Sequence, residues 1–138
     1  MRVARLSATA FVIFVLMVVL GTLTSAHHSR AGYDAAPGSL VTNNGTVSNV
    51  IWRNPHVFVV WDVKDAGGNV VKWTGELSSP STMLSEGMSR DTFKTGDPIS
   101  ATFMPAKAGT PHGLLIKVVR PDGKVVIDLS ERRNLLEQ

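Results

Sequence analysis

The sequence predicts an all-β protein with one short helix, folded as a small OB-like Greek-key barrel. Three consecutive segments rich in β-branched residues are followed by a helix-start signal and then by further strand-like segments. All three tryptophans lie between positions 52 and 73, so the core should centre there. The order of three strands, a helix and two strands is that of the OB-fold. Another small barrel or a sandwich is the alternative.

The first 26 residues predict a secretory signal peptide. Arg2 and Arg5 precede an apolar run over 8–20, and small residues follow at 22–26. Cleavage after Ala26 leaves a mature chain of 112 residues that begins at His27 and is periplasmic or secreted. The alternative is an uncleaved N-terminal anchor. The apolar run is short for a membrane span, so no span is expected after cleavage.

Composition narrows the classes of function. The chain has no cysteine, which excludes thiolate metal sites, thiol nucleophiles and haem attachment. Its net charge of +3 falls to +1 without the signal segment, and no basic cluster marks a nucleic-acid surface. The sequence leaves the oligomeric state open.

The mature chain divides into an extended arm over 27–44, a barrel over 45–128 and a charged tail over 129–138. Six segments have the composition of strands, and they are 46–51, 56–63, 70–77, 99–104, 114–119 and 124–127. Pro55 marks a turn, and the Gly67-Gly68 pair marks a hairpin loop. Ser79 suits a helix N-cap, Pro80 the first helical position, and Gly87 the helix end.

Alternation along the central hairpin sets its register. Pairing Trp61 with Trp73 places the apolar faces of the two strands together and makes that face the barrel interior. The same register sets Phe58 opposite Glu76 on the outer face, and Asp62 opposite Lys72.

The four histidines are the candidate metal ligands. A free α-amine and imidazole at His27, with His28 beside it, can chelate Cu(II). His56 and His112 lie near loops that flank one face of an OB-fold, so all four can converge on a copper or zinc ion. The alternative is four separate structural or exposed histidines, because no short ligand motif joins any two on one element.

Binding is therefore favoured over catalysis. A Glu76–His56 pair can act in acid–base chemistry or form a surface hydrogen bond, and no other catalytic constellation exists. Two hypotheses follow: a metal-binding or metal-handling module using the histidines, and a module that docks an envelope protein, a glycan or another small ligand without metal.

Several short motifs resemble an uncharacterised family of exported bacterial proteins, domain of unknown function number 6152. The resemblance covers about residues 27–128. It implies a small secreted OB-like β-domain and brings no activity. It rests on His27-His28-Ser29, Gly45-Thr46-Val47, Trp52-Arg53-Asn54-Pro55-His56, Glu76-Leu77 with Ser79-Pro80, and Lys94-Thr95-Gly96-Asp97.

Overall fold

A computed structural model describes residues 30–131, which form six strands, one α-helix and a short N-terminal arm. The arm begins with a 3₁₀ turn at Arg30–Gly32. The strands are β1 (Val41–Trp52), β2 (Val57–Lys64), β3 (Val70–Glu76), β4 (Pro98–Pro105), β5 (His112–Val119) and β6 (Val125–Asp128), and the helix α1 is Pro80–Ser85. The signal segment, His27, His28 and the end of the tail lie outside the described residues.

Five of the strands close into a barrel. The hydrogen-bonded order is β3-β2-β1-β4-β5, and a parallel pairing between β3 and β5 completes the ring. β6 extends β5 beyond that closure. Since α1 lies between β3 and β4, the architecture confirms the small OB-like Greek-key barrel with one short helix.

The predicted register of the central hairpin is confirmed. Trp61 pairs with Trp73, Asp62 with Lys72, and Phe58 with Glu76. Trp61 is fully buried, and its ring lies 5.8 Å from that of Phe103 and 6.4 Å from that of Trp73. Trp73 is only partly buried and packs against this core.

Two strands begin at least two residues earlier than the composition predicts. β1 starts at Val41 rather than 46, because its Asn- and Gly-bearing first half pairs with β4 along Val41↔Phe103 to Thr46↔Pro98. β5 starts at His112 rather than 114. Gly113 allows this, since a side chain there would collide with the ring of Phe103 and the carbonyl oxygen of Met104.

The helix α1 packs one side chain into the core. Ser79 Oγ accepts a hydrogen bond from the backbone N–H of Thr82, and Pro80 occupies the first turn, as predicted. Met83 of α1 is fully buried in the core cluster. Over residues 30–131 no helix has the length and apolarity that crossing a bilayer requires.

Candidate functional site

The barrel closure brings His56 and His112 to opposite sides of one carboxylate. On the outer face, Glu76 of β3 lies opposite Phe58 of β2 and Leu114 of β5. His56 and His112 stand two residues before Phe58 and Leu114, so they share that face. Diagonal neighbours across adjacent strands lie within reach of long side chains.

Glu76 makes a direct contact with His56 and a longer one with His112. His56 Nδ1 lies 2.6 Å from Glu76 Oε1, and His112 Nε2 lies 3.7 Å from Glu76 Oε2. The side chains of His56, Glu76 and His112 are 25%, 20% and 32% exposed, respectively. They are thus held in place by packing and still reachable from solvent.

Tyr33 of the N-terminal arm supplies a fourth member that the sequence did not point to. Its hydroxyl donates to Glu76 Oε2 at 2.5 Å and lies 2.7 Å from His112 Nε2. Its ring stacks on that of His112, with centroids 5.7 Å apart. The available signal was that Tyr33 is the one aromatic residue in an otherwise small and polar arm.

Backbone hydrogen bonds hold the arm in place around Tyr33. The N–H of Asp34 donates to the carbonyl of Pro105, and the N–H of Lys107 donates to the carbonyl of Gly32, both at 2.9 Å. Tyr33 itself forms an antiparallel bridge with Ala106. The arm therefore behaves as a short added strand segment along the β4–β5 connection, and this aims the phenol at Glu76.

When Glu76 is a carboxylate, the direction of each hydrogen bond in this network is determined. A carboxylate only accepts, so it takes the Tyr33 proton and the His56 Nδ1 proton. Having donated its single proton, Tyr33 Oη accepts from His112 Nε2. In the neutral imidazoles the lone pairs then lie on His56 Nε2 and His112 Nδ1, an assignment made from these partners.

The aromatic ring of Phe58 lies next to the network. The ring of Phe58 is 6.5 Å from that of His56 in an edge-on arrangement and 6.4 Å from that of His112. Phe58 thus lies beside both imidazoles.

Burial raises the pKa of Tyr33 well above its ordinary value of 10.0, and the hydrogen bond to Glu76 and its negative charge raise it further. Tyr33 is the only tyrosine of the chain, so phenolate absorbance reports on it alone. We expect the native protein to form phenolate at distinctly higher pH than the denatured protein.

Glu76→Gln should move that titration back towards the ordinary range, because it removes the negative charge. Since the folded pKa is the higher one, the stabilisation is present below pH 10 and is lost as pH rises through the folded pKa. Raising the pH above 10 should therefore destabilise the native protein more than it destabilises the Tyr33→Phe variant. Identical titrations of native and denatured protein would contradict the described contact.

The structure describes two of the four predicted metal ligands. His56 and His112 share the carboxylate of Glu76, while His27 and His28 lie outside the described residues. Among residues 30–131, no set of three or more His, Cys, Asp or Glu side chains is arranged to hold a metal ion. Metal ligation by the four histidines stays a prediction.

Residues 15–117 match the family of unknown function DUF6152. The chain belongs to DUF6152. This confirms the resemblance drawn from its motifs. Neither the curated proteins nor the solved structures contain a match to this DUF6152 chain.

Proposed function

We propose that this DUF6152 protein is an exported binding module that takes Cu(II) at the end of the barrel carrying His56 and His112, together with His27 and His28. The observation that carries the proposal is the 2.6 Å contact between His56 Nδ1 and the Glu76 carboxylate. Histidines that bind metals commonly donate their other ring N–H to a carboxylate, which fixes the tautomer and the ring orientation.

Glu76 acts in this proposal as an orienting group and not as a ligand. It holds the Nδ1–H of His56, so the lone pair of the neutral ring lies on Nε2. The proposed ligands are the imidazole nitrogens and the α-amine of His27, with Glu76 behind His56. Nitrogen ligands without thiolate suit Cu(II).

The docked arm supports the participation of the N-terminal histidines. Tyr33 is anchored against Glu76 and His112, and His27 precedes it by only six positions. Six residues of extended chain span at most about 20 Å. The proposed mature N-terminus therefore starts within reach of the same end of the barrel.

Export is the second part of the proposal. The basic, apolar and small-residue order of the first 26 positions supports cleavage before His27 and a periplasmic or secreted location. Cleavage there creates the free α-amine that the His27 chelate needs. Intact mass of protein purified from the periplasm should match a chain starting at His27.

The test compares copper binding by mature protein with its native N-terminus and by protein carrying one extra residue before His27. We expect weaker Cu(II) binding in the extended protein, because the added residue separates the α-amine from the His27 imidazole. His56→Gln should weaken binding again, since it keeps a donor for Glu76 but removes the imidazole. Affinity should also fall on acidification, because the ligand nitrogens must be unprotonated.

Competition against a chelator of known affinity, monitored by calorimetry, gives the three dissociation constants. Thermal unfolding of each variant serves as the folding control. Equal affinities in native, extended and His56→Gln proteins would overturn the copper proposal. The module that docks an envelope protein or glycan would then be favoured.

A further inference from the structure

We propose a second metal site on this protein, in which Tyr33, Glu76 and His112 bind Fe(III). It shares Glu76 and His112 with the copper site proposed above but needs neither His56 nor the N-terminal histidines. Its ligands come from three separate elements: the arm, β3 and β5.

The three donor atoms already lie close to the spacing that a shared ion requires. Tyr33 Oη is 2.5 Å from Glu76 Oε2 and 2.7 Å from His112 Nε2, and the latter two atoms are 3.7 Å apart. Oxygen and nitrogen ligands about 2.1 Å from one ion are about 3.0–3.4 Å apart. Two of the observed distances lie below that range and one lies above it, so binding of an ion requires small rotations of the three side chains.

The donor set favours a hard, highly charged cation. A phenolate and a carboxylate supply two anionic oxygens, and a neutral imidazole supplies the third donor. Carboxylate oxygens suit hard cations and imidazole suits iron, while no thiol is present to favour a softer ion. The partial exposure of Glu76 and His112 leaves room for water to complete the coordination.

Binding of Fe(III) displaces the phenolic proton and involves no redox step. The O–H bond of Tyr33 breaks, an O–Fe bond forms, and the phenolic proton passes to solvent. His112 loses its Nε2 proton and gains one on Nδ1, so the neutral ring changes tautomer as Nε2 becomes the ligand.

The arm makes the site specific to the folded protein. The two backbone hydrogen bonds at Pro105 and Lys107 hold Tyr33 over β3 and β5, although 43 and 79 positions of sequence separate it from Glu76 and His112. Unfolding therefore separates the three ligands. A denatured sample is thus an internal control for any iron bound here.

The experiment adds ferric nitrilotriacetate to protein purified from the periplasm and records the visible spectrum. Tyrosinate bound to Fe(III) gives a charge-transfer band, and a chain with one tyrosine assigns that band to Tyr33. We expect a band that saturates at one iron per chain, disappears in Tyr33→Phe and weakens in His112→Gln. Asp62→Asn, on the same hairpin, should keep the band. Protein carrying one extra residue before His27 should also keep it, which separates this site from the copper proposal.

Resonance Raman spectra of the iron-loaded native protein give a second readout that needs no variant to fold. Phenolate modes enhanced in the band support the site, whereas their absence overturns it. No visible band with Fe(III), a band that persists in Tyr33→Phe, or one that survives in denatured protein would each overturn the proposal. A band given by Cu(II) but not by Fe(III) would overturn the assignment of the cation.

Discussion

Trp61→Ala is expected to lower the free energy of unfolding by about 3–5 kcal/mol, because it deletes a large side chain from a packed interior. Trp61 has no exposed surface, and its ring contacts those of Trp73 and Phe103. Its indole N–H also donates to Asn43 Oδ1 at 2.7 Å, which ties β2 to the first half of β1. The substitution therefore loses core contacts and a hydrogen bond together.

Chemical denaturation followed by circular dichroism measures this loss. Trp52→Ala is the matched control, because Trp52 is only partly buried at the end of β1, and we expect a smaller loss. A loss of this size lowers the melting temperature of a domain of about 100 residues by well over 10 °C. A Trp61→Ala protein that melts within about 2 °C of the native protein would contradict the described core.

The central hairpin was predictable because the alternation of apolar and polar residues along its two strands indicates their register. One face of 57–63 carries Val57, Val59, Trp61 and Val63, and a slip of the pairing by one residue would put Trp61 and Trp73 on opposite faces. The start of α1 was equally local, since Ser79 and Pro80 have the residue types of a cap and a first turn. These features depend on neighbours a few positions away in the chain.

The first half of β1 was not predictable for the opposite reason. The segment 41–45 contains Asn43, Asn44 and Gly45, which are disfavoured in strands. Pairing with β4 and the Asn43–Trp61 hydrogen bond stabilise it, and both partners are distant in sequence. Gly45 also packs so close to Trp61 and the carbonyl oxygen of Asp62 that a side chain there would collide with both.

The candidate site was likewise predictable only in part. The OB order implies that His56 and His112 flank one face, and the structure places both at Glu76. Tyr33 could not be placed, because its position depends on how the arm pairs with the β4–β5 connection. Nothing local in the arm encodes that pairing, so the residue that completes the network emerged only from the structure.

Glu76→Gln is expected to weaken Cu(II) binding by about 10–100-fold if Glu76 orients His56 as proposed. Gln has nearly the same shape, but it is neutral and its amide nitrogen only donates. One of its two terminal atoms must therefore face Tyr33 or His56 with the wrong polarity. The His56 ring then loses the fixed orientation that the 2.6 Å contact provides.

Asp62→Asn is the matched control for this substitution. Asp62 also lies on the hairpin, and its carboxylate is 2.6 Å from Lys72 Nζ, but it contacts neither His56 nor His112. Its variant should bind copper as the native protein does. Loss of affinity in both variants would indicate a general charge effect, and unchanged affinity in Glu76→Gln would show that the carboxylate does not orient a copper ligand.

His56→Gln removes the ligand itself. The double variant with Glu76→Gln and His56→Gln should therefore bind copper no more weakly than His56→Gln alone. This non-additivity would identify Glu76 as acting through His56.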